Sequence, residues 1–291
     1  MERSISIQAV LYEPDQVDLN TFIECLINLR RPVGYTVEVR IGDCGRSPIP
    51  QATVDDWKSR FALASTSCTY TFFGANIGFG AGHNRLSQQA SSDFILVINP
   101  DTVFTGELLD TLVTFADARP NCGIAEARQY PLEHPKSWNA SDFTTDWCSC
   151  CCALVSGSAF REVGGFDESF FLYSEDVDLS WRIRALGKQV CYCPSAGVYH
   201  RKRLTVEGIE VGDAERTWGL VGLLLLNKKY GNERALSRLT RLLHSGRESR
   251  FATCLAKFNE ASALLSPVTP SQRSVASFGP DGSPGNNRWS Y

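Results

Sequence analysis

The stretch Phe94-Ile-Leu-Val-Ile-Asn-Pro-Asp-Thr102 carries the clearest structural signal in the sequence. Its first five residues are all apolar, which is typical of a strand that is buried on both faces of a sheet. Polar residues and a proline follow at once, so the strand ends near Ile98. Ligands of open α/β sheets bind beyond the carboxyl ends of the strands. The stretch therefore predicts a central strand that presents Asp101 to a ligand.

Segments of strand and helix character alternate around this central strand. Strand-like runs occupy residues 5–11, 35–41 and 69–73, and helical patterns occupy residues 17–29, 54–61, 83–89 and 174–187. Parallel strands need crossover connections, which are usually helices. The alternation therefore predicts an α/β fold with a mostly parallel central sheet flanked by helices.

Composition divides the chain into three parts. Residues 1–210 hold the alternating pattern and form the predicted α/β domain, and residues 211–265 form a C-terminal helical extension. In residues 266–291, half of the side chains belong to Ser, Pro or Gly, which predicts a disordered tail. The helical pattern of residues 216–250 is rich in leucine, lysine and arginine. It could pack on the α/β domain or lie on an anionic membrane surface, and both alternatives stay open.

Charge and hydropathy exclude several classes of partner. The chain carries 29 basic and 32 acidic residues, a net charge of −3, so no overall positive field would hold a nucleic acid. No run approaches the ~18 apolar residues that span a bilayer. The first residues lack the apolar region of a signal peptide. The sequence therefore predicts a cytoplasmic protein, with a position at the inner face of the membrane as the alternative.

Eleven cysteines stand out in the composition. Four of them, Cys148 and residues 150–152, lead into an apolar run, as in a buried strand whose thiols serve as small apolar groups. A zinc site is the alternative, with Cys191, Cys193 and His200 as the nearest set of ligands. Consecutive cysteines on a strand cannot all face one metal, so packing is the favoured interpretation.

Asp101 and His200 are candidate metal ligands. A lone carboxylate can hold Mg²⁺ or Mn²⁺ when waters and a substrate diphosphate complete the coordination. An ordinary turn after a strand explains the same Asp101. His200 ends the strand-like run 198–200 and could be a metal ligand or a surface histidine.

An acidic cluster follows a loop rich in glycine and aromatic residues. Glu175, Asp176 and Asp178 occupy the first turn of the helix that Ser174 could cap, and helix-start chemistry alone would explain them. The preceding residues 164–173 include Gly-Gly-Phe and Phe-Phe-Leu-Tyr, which are costly to expose unless they line a pocket. In such a pocket a carboxylate could take a proton from a sugar hydroxyl as a general base.

A third motif, NIGFGAGHN at residues 76–84, lies between a strand and a helix. Its glycines would permit the close approach of a phosphate or a base. It is not a P-loop, and His83 stands where a dinucleotide fingerprint places its third glycine. Kinase-like ATPases and Rossmann dehydrogenases are therefore disfavoured.

Four motifs in their order resemble the inverting family 2 glycosyltransferases with the GT-A fold, particularly the rhamnosyltransferase-like branch. They are NIGFGAGHN at 76–84, LVINPDT at 96–102, VGGFDESFFLYSEDVDLSWRIRALG at 163–187 and VYH at 198–200. The resemblance spans residues 4–200 and implies that residues 1–210 are the catalytic domain. It implies a metal-dependent enzyme of polysaccharide biosynthesis that transfers a sugar from a nucleoside diphosphate sugar to a glycan or lipid-linked hydroxyl.

The resemblance also implies roles for single residues. Asp101 matches the metal-binding end of the family's D-x-D motif, with Asn99 in place of the first acid, and His200 completes the metal site. Asp176 matches the catalytic base, with Glu175 beside it. Donor contacts are expected from Tyr12, Glu13, Asp43, Asn76, Gly78, Asn84, Asn99, Asp101 and Gly165, and acceptor contacts from Trp138, Trp147 and Tyr173.

The identity of the nucleotide-sugar donor stays open. Tyr12-Glu13 replaces the family's Tyr-Asn and Asp43-Cys44 its Asp-Asn, and these positions contact the nucleotide. By resemblance dTDP-L-rhamnose is the first candidate and UDP-hexoses are next. Two alternatives are an inactive nucleotide-sugar-binding module and a nucleotidyltransferase. The latter would need a glycine-rich basic loop after the first strand, which Leu11-Tyr-Glu-Pro-Asp does not provide.

Overall fold

A computed structural model describes residues 2–89, 91–134, 136–201, 204–205, 208–209, 212–245 and 248–285 of the 291-residue chain. The first part of the chain alternates strands and helices. The strands are β1 (Arg3–Leu11), β2 (Tyr35–Asp43), β3 (Ser67–Phe72), β4 (Phe94–Ile98) and β5 (Thr102–Phe104), and the helices are α1 (Gln16–Ile27), α2 (Gln51–Leu63), α3 (Phe79–Ser87) and α4 (Leu108–Asp117).

The second part completes the sheet and then becomes helical. It contains β6 (Cys122–Tyr130), β7 (Cys152–Ser156), α5 (Gly157–Glu162), α6 (Glu175–Ala185) and β8 (Gln189–His200), and then β9 (Leu204–Thr205) and β10 (Gly208–Ile209), which pair with each other in antiparallel orientation. Four helices follow, namely α7 (Asp213–Tyr230), α8 (Glu233–His244), α9 (Arg250–Ser262) and α10 (Pro270–Val275).

The described part of the central sheet has eight strands in the order β3-β2-β1-β4-β7-β6-β8-β5. β1 pairs in parallel with β2 and β4, and β2 pairs in parallel with β3. β7 lies between β4 and β6 and is antiparallel to both, whereas β8 is parallel to β6 and antiparallel to β5. The predicted α/β sheet flanked by helices is confirmed. It is parallel over its first four strands and mixed beyond β4.

The cysteine-rich segment belongs to the centre of this sheet. Cys148 and residues 150–152 are buried, and Cys152 of β7 pairs with Ile98 of β4. None of the eleven cysteines, all of which lie within the described ranges, forms a disulfide. Burial raises the pKa of the Cys148 and Cys150 thiols, so the neutral thiol is favoured over the thiolate that would bind zinc. The structure therefore gives these cysteines the packing role that their sequence context favours.

The helical extension packs on α6 through its apolar face. Val221, Leu224 and Tyr230 of α7 share a buried cluster with Phe170 and Trp181 of the α/β domain. The helical pattern predicted for residues 216–250 is divided in the structure, because Gly231 adopts a left-handed conformation and ends α7. No helix within the described ranges is long and apolar enough to cross a membrane.

Residues 266–285 differ from the predicted disordered tail. They include α10, which contacts α6, and Phe278 packs edge-to-face on Trp181 with 5.1 Å between ring centroids. The composition of this segment shows that it cannot build a core of its own. It is ordered by covering a core that α6 and α7 provide, which composition does not reveal. The remaining residues of the predicted tail, 286–291, lie outside the described residues.

Candidate active site

Predicted site residues from several strands meet at one edge of the central sheet. The carboxyl ends of β1, β2, β4, β6 and β8 lie at this edge because these strands run in the same direction. Asp43 ends β2, Asp101 lies in the turn after β4, and His200 ends β8. β7 runs the other way and begins at this edge. The arrangement matches the position of ligand sites in open α/β sheets.

Asp101 and His200 form a close pair. Oδ2 of Asp101 lies 3.1 Å from Nε2 of His200, and their side chains are 42% and 14% exposed. The other ring nitrogen, Nδ1, lies 3.3 Å from Oε1 of the buried Gln129. Gln129 donates its Nε2 to Glu126, so its oxygen faces the histidine. We therefore place the imidazole proton on Nδ1, which leaves the lone pair of Nε2 for a cation.

A divalent cation fits this pair. Asp101 offers a carboxylate oxygen and His200 a neutral imidazole nitrogen, which both bind Mn²⁺. Oδ1 of Asn99, on the same turn, is buried and has no hydrogen-bond partner. A buried oxygen without a partner is costly, and a bound ligand would remove that cost. Within the described ranges no third His, Cys, Asp or Glu side chain joins the pair, so water or substrate oxygens would complete the coordination.

The residues expected to contact the nucleotide lie at the ends of β1 and β2. Asp43 is buried, and its two oxygens accept from the Tyr70 hydroxyl at 2.5 Å and from a backbone N–H at 2.7 Å. Glu13 has a φ of 46° and accepts from the Arg46 N–H at 2.8 Å. Tyr12, beside Glu13, is 51% exposed. Asp43 and Glu13 thus shape this end of the site, and the ring of Tyr12 is free to meet a ligand.

The glycine-rich residues 76–84 pack against the loop that precedes α6. Gly78 has a φ of 86°, and a Cβ at this position would lie 2.4 Å from the carbonyl oxygen of Phe171. The same oxygen accepts from the Phe79 N–H at 3.0 Å. Asn76 supports the turn by accepting from the Gly78 N–H at 3.2 Å. Glycine is therefore required here for the contact of two backbones.

Asn84 and Gly165 fasten the same two loops. Nδ2 of Asn84 donates to the Phe166 carbonyl and to Oε1 of Glu168, both at 2.9 Å, and its Oδ1 accepts from the Phe166 N–H at 2.9 Å. A Cβ at Gly165 would lie 2.4 Å from this Oδ1. The amide of Asn84 is thus occupied within the protein. Asn84 and Gly165 thus hold the two loops together, and their direct contact with the donor stays a prediction.

Asp176 lies in the first turn of α6 beside the cysteine-rich segment. Its Oδ1 accepts from the Val177 N–H at 2.8 Å and its Oδ2 from the Cys150 N–H at 3.4 Å. The next residue, Cys151, accepts from the Asn99 N–H through its carbonyl at 2.8 Å. One short backbone segment therefore joins the turn that holds Asp101 to Asp176. Two motifs that are far apart in the sequence become neighbours through residues 150–151.

The two residues before α6 have an unusual backbone. Tyr173 and Ser174 have φ values of 68° and 69°, in the left-handed region that residues other than glycine seldom adopt. Ser174 precedes the helix, but its hydroxyl does not make the predicted cap hydrogen bond. Gly222 of α7 makes room for this turn, because a Cβ there would lie 2.4 Å from the Tyr173 carbonyl. The helical extension thus helps to shape the approach to Asp176.

Burial raises the pKa of both acids at the start of α6. At Asp176 this effect is opposed by the hydrogen bond from Val177 and by the positive charge of Lys136. At Glu175 the charge of Asp176 adds to it, and Oε2 is buried without a partner. Lys136 is itself buried in an ion pair with Glu126. Burial thus favours the neutral form of both acids, and the charge of Asp176 adds to this effect at Glu175.

Glutamine at position 175 is expected to make the protein more stable than the wild type as the pH rises. A carboxyl whose pKa is raised by folding costs stability above its unfolded value of ~4.3, and the cost grows until the folded pKa is passed. Glutamine does not titrate, so Glu175→Gln has no such cost. Urea unfolding from acidic to mildly alkaline pH measures the difference. Parallel pH dependences for the wild type and Glu175→Gln would contradict the prediction.

The aromatic residues expected at the acceptor differ in their environment. Trp147 is buried, and Nζ of Lys136 lies 4.2 Å from the centroid of its ring. Trp138 stacks on two neighbouring rings, with centroids 5.8 and 5.2 Å away. Trp147 is buried, which corrects the expectation that it stacks on a sugar, whereas Trp138 is half-buried and its contact with an acceptor sugar stays a prediction. Tyr173 is half-buried directly before α6 and stays a proposed acceptor contact.

An aromatic residue of the extension lies beside the same loop. Trp218 of α7 stacks on Phe171 with 4.4 Å between ring centroids. Trp218 is not among the predicted site residues, because the pattern of residues 216–250 predicts a basic helix that packs on the α/β domain or lies on a membrane surface. A tryptophan near the start of a long helix, outside its leucine-rich part, is the signal that could have indicated it.

A buried ion cluster joins α7 to α6. Nζ of Lys229 lies 2.6 Å from Oδ2 of Asp167 and 2.5 Å from Oδ1 of Asp178. Arg182 donates Nε to Asp178 at 2.7 Å and Nη1 to the Gly165 carbonyl at 2.6 Å. We call Asp167, Asp178, Arg182 and Lys229 the α6–α7 clamp. The sequence signal for it is that Lys229 lies on the apolar face of α7, one helical turn after Leu225 and Leu226.

Proteins of the glycosyltransferase class resemble this chain in sequence. The family described as Glycosyl transferase family group 2 matches residues 94–245. The N-acetylglucosaminyl-diphospho-decaprenol L-rhamnosyltransferase of Mycobacterium tuberculosis (strain ATCC 25618 / H37Rv) is 30% identical over 246 residues, which cover 68% of this chain and 76% of that protein. Rhamnosyltransferase WbbL of Escherichia coli (strain K12) is 28% identical over 160 residues, 42% of this chain and 61% of that protein.

Solved structures share the fold at lower identity. The mannosyltransferase PcManGT from Pyrobaculum calidifontis, in complex with GDP-Man and Mn²⁺, has a TM-score of 0.61 at 13% identity and covers 93% of this chain and 78% of that chain. GalNAc-T7, solved with UDP, GalNAc and Mn²⁺, has a TM-score of 0.58 at 11% identity and covers 76% and 47%. The sheet, the ordered motifs and these relatives lead to one conclusion: the chain belongs to the family 2 glycosyltransferases, with the GT-A fold, and is of the rhamnosyltransferase type.

Proposed function

We propose that this glycosyltransferase moves a sugar from a nucleoside diphosphate donor to a lipid-linked acceptor hydroxyl, with inversion at the anomeric carbon and with Mg²⁺ or Mn²⁺ bound. The observation that supports this most directly is the arrangement of Asp101, His200 and Asp176. The proposed metal ligands and the proposed base lie at one sheet edge, and residues 150–151 join them through backbone hydrogen bonds.

The names of the relatives suggest the substrates. The mycobacterial relative is named as an L-rhamnosyltransferase that acts on N-acetylglucosaminyl-diphospho-decaprenol. By analogy we propose dTDP-L-rhamnose as the donor and a prenyl diphosphate that carries an amino sugar as the acceptor. UDP-hexoses are the second choice of donor, because Tyr12 and Glu13 leave the base preference open.

In the proposed reaction Asp176 acts as the general base. The acceptor hydroxyl gives its proton to the Asp176 carboxylate, and the oxygen lone pair forms a bond to the anomeric carbon. The bond from that carbon to the diphosphate breaks on the opposite face, and the diphosphate leaves with the electron pair. Hydrogen bonds from the backbone of Val177 and Cys150 hold the Asp176 carboxylate in position for this transfer.

The Asp101–His200 pair would hold the cation at the leaving group. A bound Mg²⁺ or Mn²⁺ supplies positive charge that stabilises the departing diphosphate. Gln129 orients the imidazole of His200, and Glu126 orients Gln129. Asn99 would direct its unpartnered Oδ1 toward the same ligand.

Membrane contact belongs to the proposal in a restricted form. We propose that the enzyme acts in the cytoplasm, at the inner face of the membrane where a lipid-linked acceptor would be presented. Insertion of the apolar face of α7 and α8 is not compatible with the structure, because Leu224, Leu239 and Leu243 are buried in the protein. Contact would therefore have to use the charged outer face of the extension.

The proposed function is tested by a transfer assay. The full chain is incubated with Mn²⁺, a synthetic N-acetylglucosaminyl diphosphate lipid and either dTDP-L-rhamnose or a UDP-hexose, and the product linkage is determined by NMR. We expect a single product with the anomeric configuration opposite to that of the donor. A product with retained configuration would overturn the mechanism. Metal-dependent nucleotide binding without transfer to any acceptor would support an inactive binding module instead.

Replacing Asp101 with asparagine is expected to weaken the binding of the nucleotide in the presence of Mn²⁺. Asp101→Asn removes the carboxylate charge from a site with few protein ligands, so the affinity for dTDP or UDP with Mn²⁺ should fall by about tenfold or more. Thermal stabilisation by the nucleotide, with Mn²⁺ or with EDTA, measures the change. Asp142→Asn, on an exposed loop, is the matched control. Equal stabilisation of both variants would contradict the assignment of Asp101.

A further inference from the structure

Four arginines surround a pocket on the outer side of the helical extension. Arg234, Arg238 and Arg241 lie on α8, and Arg273 lies on α10. They line a concave space of about 670 Å³ together with Gly231 and Phe278. All four side chains are exposed. This group of arginines, which we call the arginine pocket, lies on a chain whose net charge is −3.

One carboxylate lies near the arginines of the pocket: hydrogen bonding from Ser283 and, to a smaller extent, the charge of Arg238 lower the pKa of Asp281. Within the described residues, none of the four forms an ion pair. Arg238 donates to the Pro280 carbonyl at 3.3 Å and Arg241 to the Ser237 carbonyl of its own helix at 3.2 Å. The carboxylate of Asp281, next to Pro280, accepts from the hydroxyl and the N–H of Ser283.

The spacing of the arginines makes this arrangement unfavourable without an anion. Arg234 and Arg238 are four residues apart on α8, and Arg238 and Arg241 are three apart. Like charges at these spacings share one helix face and destabilise the helix. The guanidinium of Arg273 adds charge from the other side, and its Cζ lies 3.7 Å from where a Cβ of Gly231 would be. Natural sequences keep such local conflicts mainly at functional sites.

We propose that the arginine pocket binds a phosphate or diphosphate group, at a site separate from the donor site. Guanidinium groups match phosphate oxygens in pairs of parallel hydrogen bonds, and several of them would surround one group here. The pocket lies against Tyr230, at the end of α7, whereas the donor site lies at the carboxyl ends of the strands. A phospholipid headgroup and a soluble diphosphate offer the same chemistry, and the experiment separates them. The proposal does not depend on sugar transfer.

Binding of inorganic pyrophosphate to the full chain tests the proposal. Titration calorimetry in EDTA keeps any metal from supporting the donor site. Arg234→Gln/Arg241→Gln removes two arginines of the pocket that form no hydrogen bond or ion pair outside their own helix within the described residues. Arg30→Gln/Arg31→Gln removes two exposed arginines elsewhere and is the matched control. We expect the pocket variant to bind pyrophosphate at least about tenfold more weakly, and the control and Asp101→Asn to bind like the wild type.

Vesicle flotation identifies the source of the phosphate. If the ligand is a lipid headgroup, the wild type floats with phosphatidylglycerol vesicles at low salt, the pocket variant does not, and pyrophosphate competes. If it is a soluble diphosphate, pyrophosphate binds while flotation is the same for both double variants. Arg234→Lys/Arg241→Lys keeps the charge and should bind with intermediate affinity, which guards against a folding defect. Equal pyrophosphate affinity of the two Gln double variants would overturn the proposal, and binding that appears only with Mn²⁺ and is lost in Asp101→Asn would assign it to the donor site.

Discussion

Replacing Asp176 with asparagine is expected to abolish efficient sugar transfer and to leave donor binding intact. Asp176→Asn keeps the shape of the side chain but removes the group that would accept the acceptor proton. Loss of a general base typically costs about 10²–10⁴-fold in rate. Asp176 is not part of the Asp101–His200 pair, so metal-dependent binding of the nucleotide should be unchanged. The measurement is turnover at saturating donor together with nucleotide affinity.

The pH dependence separates a chemical role of Asp176 from a structural one. Because burial raises its pKa, the acid limb of the wild-type turnover should lie above the ~3.9 of an ordinary aspartate. Below that limb the base is protonated and transfer stops. The residual activity of Asp176→Asn should lack the limb, and Asp142→Asn should keep it. A variant that turns over like the wild type, or that keeps the same limb, would remove Asp176 from the mechanism.

Replacing Lys229 with methionine is expected to lower the free energy of unfolding by about 3–5 kcal/mol. Lys229→Met removes the cation that lies between Asp167 and Asp178, and its own side chain is only 1% exposed. Two buried carboxylates would then share Arg182, Tyr230 and the serine partners that remain. Urea unfolding monitored by circular dichroism measures the loss.

The neighbouring lysine provides the control for this loss. Lys228 is exposed and donates to Ser262, so Lys228→Met should change the free energy of unfolding by less than about 1 kcal/mol.

The loss of stability in Lys229→Met should also depend on pH. Burial raises the pKa of Asp167, but the charge of Lys229 and hydrogen bonds from Lys229 and Ser169 outweigh this effect and lower the pKa to about 2. The ionised Asp167 therefore stabilises the folded protein above the unfolded pKa of ~3.9, and this stabilisation is lost as the pH falls toward 2. The difference between the wild type and Lys229→Met should therefore shrink as the pH falls from about 4 to about 2. Similar stabilities of the two variants would show that the α6–α7 clamp contributes little.

The sequence predicts the sheet and the positions of its ligand-facing residues because both depend on local patterns. The run Phe94–Ile98 is typical of a buried strand, and its polar end places Asp101 at the sheet edge. The helix at Glu175–Ala185 follows in the same way from its periodicity. What local patterns do not give is the antiparallel insertion of β7, since strand order depends on pairings between distant segments.

The contacts around the site were harder to predict for the same reason. The full hydrogen bonding of Asn84 depends on a loop far along the chain, so its positioning role is visible only in the structure. Trp147 has a ring that could stack on a sugar, but it lies in the core beside Lys136. Ser174 looks like a helix cap, but the left-handed turn at Tyr173 and Ser174 fits around Gly222 instead. In each case a tertiary contact outweighs a local preference.

The α6–α7 clamp has a consequence for protein engineering. Although residues 1–210 and 211–265 differ in character, they cannot be exchanged as independent modules, because Lys229 is the counterion of two carboxylates in the other part. A chimera that borrows its extension from a relative would have to match Asp167, Asp178 and Lys229 as a set. It would also need a residue without a Cβ at position 222 to admit the backbone of Tyr173. The natural crossover point for recombination between such enzymes therefore lies outside the whole stretch from Asp167 to Lys229.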